Sequence, residues 1–373
     1  MKIAILTQPL QNNYGGLLQA FALQKYLKEQ GNEVMTVDFA WNHKLRYFGI
    51  KSILGNIIRK YILRRKIISI FPISNEQKRR IGQHTNRFTA EHIRTTQKIY
   101  SVDEISYIKN YQFDAYVVGS DQVWRPAYSP GMSAFFLSFL NKSDDAKRIA
   151  YAASFGVDNC NEFSQDALEE YAVLLKQFDA VAVREDSAVD LCKQHFGVAA
   201  EHVLDPTFLL DKEMYIQLVE QDKCPASNGN MMVYVLDQSL DKKEIIQAVA
   251  NERSLTPYTV MPDEKGVYPP VTQWLRGFMD AEFVVTDSFH GVAFSIIFNK
   301  PFIAIGNHDR GLARFTSVLK MFGLEERLIF SINELTSQLI NRPINFSNVN
   351  RLKTEKQKFA MDFLNESLLG KHR

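Results

Sequence analysis

Short apolar runs, each closed abruptly by polar residues, alternate along most of this chain with longer stretches whose apolar positions recur at helical spacing. The first run, Ile3 to Leu6, gives way to a polar loop, "TQPLQNNYGG". Next comes "LLQAFALQKYLKEQG", in which Leu17, Ala20, Phe21, Leu23 and Leu27 follow helical periodicity, and then a second strand, "EVMTVDF". A continuous apolar run is how a strand buried on both faces reads, and strand–helix–strand order predicts parallel pairing through a right-handed crossover. The device returns in "FDAYVVGSD" and "FDAVAVRED", which stop at Gly119-Ser120-Asp121 and Arg184-Glu185-Asp186. Ligands bind beyond the carboxyl ends of such strands, so these polar ends are expected along one edge of a cleft.

The stretch "EQDKCPASNGN" interrupts the rhythm, which then resumes through "MMVYVL", "KKEIIQAVANE", "PYTVM", "VTQWLRGFMDA", "EFVVT", "HGVAFSIIF" and "PFIAIG". The pattern predicts an α/β chain of two Rossmann-like domains facing across a cleft, with residues 1–220 and 221–345 as the domains and 346–373 as a C-terminal helix. At 373 residues the chain exceeds the usual size of one compact core, which agrees with two domains. A formal net charge of +2 gives no global preference for nucleic acid. Three scattered cysteines, Cys160, Cys192 and Cys224, fit no disulfide framework and point to a reducing cytoplasm. No run is long and apolar enough for a membrane span or a signal peptide, and no His, Cys or acidic spacing matches a metal site, so no catalytic metal is expected.

The segment "TDSFHGVAFSII" places a strand end and a helix start four residues apart. Asp287 or Ser288 is expected to cap the helix, and the free N–H groups at its start favour an anionic ligand. His290 at this junction fits either proton delivery to such a ligand or a histidine packed at the domain surface. Arg310 and Arg314 in "HDRGLARF" would share a face if helical and form one anion clamp, or a solvated surface pair. Arg184 reads as a ligand cation or as an ion pair with Glu185 or Asp186. Asp121 fits a hydroxyl-proton acceptor or a turn-forming aspartate, while Trp124 is placed to pack on a sugar face. Gly15 and Gly16 allow the first loop close to a ligand, although "NNYGG" is no dinucleotide fingerprint.

The ordered set "NNYGGLLQAFAL", "VVGSDQVW", "YAASFG", "VREDSA", "LDPTFLL", "TDSFHG", "NKPFIAIGN" and "RGLARFTSVL" resembles the polysaccharide pyruvyl transferases over nearly the full length. The resemblance implies a GT-B-like fold and transfer of pyruvate from phosphoenolpyruvate to two hydroxyls of a sugar in a cell-surface polysaccharide precursor, forming a cyclic ketal and releasing phosphate. It implies catalysis by His290 and Asp121, with no cofactor beyond the donor substrate. It also implies a donor site of Arg184, Ser288, Gly291, His308, Arg310 and Arg314, on the second domain's side. An acceptor site of Asn13, Tyr14, Gly15, Gly16 and Trp124 is implied on the first. Many members of the family carry an arginine just ahead of this histidine, where the present chain has Phe289. Arg184, Arg276 or the Arg310/Arg314 pair would then supply the cation. A nucleotide-sugar glycosyltransferase and a non-catalytic scaffold of polysaccharide assembly are the alternatives.

Between Asp38 and Glu76 no acidic residue occurs, while Lys44, Arg46, Lys51, Arg59, Lys60, Arg64, Arg65 and Lys66 do. A basic helical insertion is expected at about 44–92. Its part near 50–66 has the spacing of an amphipathic helix that suits an anionic inner-membrane face and a lipid-linked acceptor, or an ordinary core-facing helix. Nucleic acid is disfavoured, because the segment carries no aromatic stacking platform.

Overall fold

In a computed structural model of the chain, the described residues are 1–40, 74–129, 131–306 and 311–370. The segment near 50–66, together with His308 and Arg310, lies outside them. Of the expected insertion, the described part forms the helices Asn75–Ile81 and Gln83–His92.

The apolar runs become two all-parallel sheets. The first contains β1 (Lys2–Leu6), β2 (Glu33–Thr36), β3 (Ala115–Val118), β4 (Lys147–Ala153), β5 (Ala180–Val183) and β6 (Glu201–His202) in the order β2-β1-β3-β4-β5-β6. The second contains β7 (Met231–Tyr234), β8 (Pro257–Thr259), β9 (Phe283–Thr286), β10 (Phe302–Ile305) and β11 (Leu328–Ile329) in the order β11-β10-β9-β7-β8. All four residues of β3, β5, β7, β9 and β10 are buried, as two-sided coverage by helices requires.

One apolar core runs continuously from the first sheet into the second, and each sheet covers its other face with a separate cluster. Tyr14, at the start of the helix Tyr14–Glu29, stacks on Trp274 of the other half with ring centroids 5.8 Å apart, and its hydroxyl donates to the Pro269 carbonyl. The final helix, Phe346–Leu369, returns to the first half: Phe363 meets Tyr151 of β4, and Lys147 Nζ donates to the Ser367 carbonyl. The halves are therefore joined by packed apolar surface and by a helix that crosses back.

Leu364, fully buried on that returning helix, tests the second connection. Leu364→Ala is expected to lower stability by about 2–5 kcal/mol, the usual cost of truncating a buried leucine, read from chemical denaturation.

Candidate functional site

Four segments that are remote in sequence converge where the two sheets face each other. After β3 the chain turns at Asp121, whose backbone is left-handed at φ +69° and whose carboxylate accepts from the Gln122 N–H. After β5 comes Arg184, after β6 comes Asp205, and from the other half the helix Phe289–Ile297 brings His290. A cavity of about 470 Å³ opens beside Asp121 and His290, lined among others by Asn13, Tyr14, Asp121, Ser288, His290 and Arg314.

The Arg184 side chain is only 1% exposed, and its charge is answered within the protein. Nη1 donates to Asp205 Oδ2 at 2.9 Å, Nη2 lies 3.4 Å from Asp121 Oδ1, and Nε lies 4.0 Å from Glu185 Oε1. The Phe289 ring covers the guanidinium at 4.5 Å. Asp205 is saturated in turn, since Oδ1 accepts from Thr207 N and Oγ1 and Oδ2 also accepts from Ser120 Oγ. Burial alone would raise both aspartates, but Arg184 and His290 outweigh it and hold Asp121 and Asp205 below the ordinary carboxylate range. Glu185, buried with Ser154 as its hydrogen-bond donor, is pushed up instead, burial outweighing Arg184.

His290 stands between the halves. Its Nε2 lies 3.8 Å from Asp205 Oδ2, too long for a hydrogen bond, and is buried. Its Nδ1 faces the first turn of the helix Tyr14–Glu29, where a Cβ on Gly15 would fall 2.0 Å away. Gly15 therefore serves close approach of backbone to the imidazole. Burial lowers the His290 pKa, and the neighbouring Arg184 and Arg314 add to this against the pull of Asp205 and Asp121. The ring is accordingly a neutral base in the resting protein. Burial, and then the charge of Arg184, bring Arg314 down to about 10, which leaves it charged at neutral pH but favours an incoming anion.

The helix start beside His290 is open. Ser288 is the N-cap residue in extended conformation, yet its side chain makes no capping bond. Asp287 does not cap either: its carboxylate accepts from Leu236 N, Asp237 N and Lys242 Nζ, which pins the strap after β7 to the cavity wall. The uncapped first turn aims helix-dipole charge into the cavity.

These elements can be set beside known proteins. A family model for polysaccharide pyruvyl transferase matches residues 13–309. The chain belongs to the polysaccharide pyruvyl transferase family. Its architecture is GT-B-like. It is similar to the UDP-GlcNAc 2-epimerase from Neisseria meningitidis bound to UDP-GlcNAc, at TM-score 0.50 and 9% identity over 99% of this chain and 100% of that one. It is also similar to Arabidopsis thaliana UGT89C1 complexed with quercetin, at TM-score 0.50 and 11% identity over 98% and 99% of the two chains. No curated protein matches. At such identities the likeness extends to the fold alone.

Against this family background several expected site residues stand elsewhere. Trp124 is fully buried, donates to the Phe135 carbonyl and stacks on Phe136, so it offers no face to a sugar. Arg184 is not on the cavity lining and realises the ion-pair reading, with Asp205 as its closest carboxylate rather than Glu185 or Asp186. Gly291 packs behind the wall, where a Cβ would fall 2.0 Å from Thr286 Oγ1. Gly16 also stays off the lining, its N–H capped by Asn13. Arg276 pairs with Asp280 away from the cavity. Of the expected Arg310/Arg314 clamp, Arg310 lies outside the described residues, while Arg314 stands in the first turn of the helix Ala313–Phe322, which follows Gly311 at φ +83°. Arg314 is the single Lys or Arg among the described lining residues.

Asp205 carried no role in the sequence reading. Its signal was present, an acidic residue enclosed by Val203–Leu204 and Phe208–Leu210, all buried. Tyr128 and Gln122 on the cavity wall were likewise missed.

Two expectations follow. Arg184→Leu removes the cation that three buried acidic side chains share and should cost about 3–5 kcal/mol, whereas Arg276→Leu, at a half-buried i,i+4 pair, should cost about 1 kcal/mol or less, both from denaturation curves. Because the folded His290 pKa is depressed, the unfolded chain binds the extra proton first. Stability should therefore fall as pH drops below about 6.5 toward the lowered folded value, and His290→Gln should flatten that part of a Tm-against-pH curve.

Proposed function

We propose that this chain transfers pyruvate from phosphoenolpyruvate to two hydroxyls of one sugar in a polysaccharide precursor, giving a cyclic ketal and inorganic phosphate. Beside family membership, the observation that carries this reading is the placing of buried His290 and half-buried Arg314 on one cavity wall, next to an uncapped helix start. The donor carries its carboxylate and its phosphate on one and the same enol carbon. Arg314 and the first-turn N–H groups supply the positive field that such a dianion needs.

The proton balance suits one histidine. As the first hydroxyl adds to the enol carbon, the vinyl carbon becomes a methyl group by taking one proton. As the second hydroxyl adds, the bond to phosphate breaks and the departing phosphate takes the other. Two hydroxyl protons are thus redistributed and none is consumed. His290, neutral at rest, becomes a stronger base when a dianion lies beside it, so it can collect a hydroxyl proton and return it. Asp121, kept ionised, stabilises the imidazolium across the cavity. The reaction requires no cofactor besides the donor.

Thermal-shift measurements with phosphoenolpyruvate and with UDP-sugars test the reading. Phosphoenolpyruvate should raise Tm in the native chain and in His290→Ala, but not in Arg314→Ala. With an acceptor supplied, His290→Ala should release phosphate about 10²- to 10⁴-fold more slowly. A shift with UDP-sugars alone would replace this reading by glycosyl transfer.

A further inference from the structure

The two walls of the cavity differ in chemistry. His290 and Arg314 belong to the second half, whereas the first half contributes Gln8, Asn12, Asn13, Gln122 and Tyr128, with Asp121 its sole charged lining residue among those described. We propose that this largely uncharged wall is a pyranoside-binding subsite whose stacking platform is Tyr128; its role as the acceptor subsite rests on the pyruvyl-transfer reading above.

Three amides on the wall have their orientation fixed by partners of unambiguous polarity. Gln8 Nε2 donates to the Gln122 carbonyl at 2.7 Å, which leaves Oε1 as the free acceptor end. Gln122 Oε1 accepts from Arg125 Nη1 at 3.0 Å, which leaves Nε2 as the donor end. Asn13 Oδ1 accepts from the Gly16 N–H, which leaves Nδ2 as the donor end. None of these remaining ends has a partner among the described residues. One preset acceptor and two preset donors match vicinal hydroxyls, which both donate and accept, on a wall whose described residues bring no cation to a phosphate.

Tyr128 stands at the same wall with 42% of its surface exposed. The Arg125 guanidinium lies over its ring, 4.6 Å from the centroid. Arg125 is itself fixed by Glu162, at 2.9 Å from Nε, and the same carboxylate accepts from the Ala127 N–H. An aromatic ring that is both exposed and immobilised loses little entropy on binding, and its open face suits the C–H face of a sugar ring. This is the role that Trp124 cannot play from inside the core.

Saturation-transfer difference NMR on the full chain, with methyl glycosides of glucose, galactose, mannose and N-acetylglucosamine as probes, tests the platform. At least one glycoside should be saturated at its ring C–H protons. Its affinity should fall about tenfold in Tyr128→Ala, equivalent to about 1.4 kcal/mol, and be kept in Tyr128→Phe. The phosphoenolpyruvate thermal shift should be unchanged in Tyr128→Ala. No saturation of any glycoside, or equal saturation in Tyr128→Ala, overturns the proposal, as does joint loss of glycoside and phosphoenolpyruvate binding in that variant. If phosphoenolpyruvate fails to bind the native chain while glycoside saturation depends on Tyr128, the donor assignment falls and the saccharide subsite stands.

Discussion

A buried guanidinium cannot remain uncompensated, and the arrangement around Arg184 follows from that constraint. Its carboxylate partners come from separate places: Asp121 beyond β3, Asp205 beyond β6 and Glu185 beside it after β5. Phe289, from the opposite half, closes the remaining side. Two of these partners are themselves tied back to the first half, Asp205 through Ser120 and Thr207 and Glu185 through Ser154. Removing one member would leave the rest desolvated without charge balance, so the cluster fixes where three strand ends lie relative to one another. His290 sits against this cluster, its Nε2 3.8 Å from the Asp205 carboxylate that Arg184 holds.

The position taken by Phe289 has a consequence for where cationic charge can be offered. A phenyl ring before His290 caps Arg184 and seals it from the cavity, so Arg184 acts within the protein. Among the described residues, the Lys or Arg that lines the cavity is instead Arg314, near the start of the helix Ala313–Phe322. The dividing line between the halves thus separates two chemistries. One wall combines an open helix start with His290 and Arg314, and the other presents amides and an aromatic ring. In the reaction proposed, the first suits an anionic donor and the second a neutral acceptor. The apolar contacts of Tyr14 with Trp274 hold the walls in register.

Much of the architecture was legible along the chain. Apolar runs closed by polar residues mark β1, β3, β5, β7, β9 and β10, since a strand covered on both sides must be apolar throughout and its end must leave the core. β4 was less plain, because "KRIAYAA" begins with two cations and appeared in the motif set only through "YAASFG". In the fold those cations lie at the strand's outer end, where Lys147 meets the returning helix and Arg148 donates to Gln177.

By itself the sequence determined the α/β class, the positions of the strand ends, the family and the strand-to-helix junction at His290, because all of these rest on local periodicity or on ordered motifs. Tertiary structure alone decided which polar residues face the cavity. Trp124 and Tyr128 are four residues apart, yet one is enclosed by Phe136 and Phe155 and the other is exposed. Arg184 and Arg314 are alike in type, yet one is turned inward to three carboxylates and the other borders the cavity. Asp205 gained its place only when residues far apart in sequence were brought within bonding distance. Local pattern records which positions must leave solvent, whereas the pairing of buried charges depends on distances that only the folded chain sets.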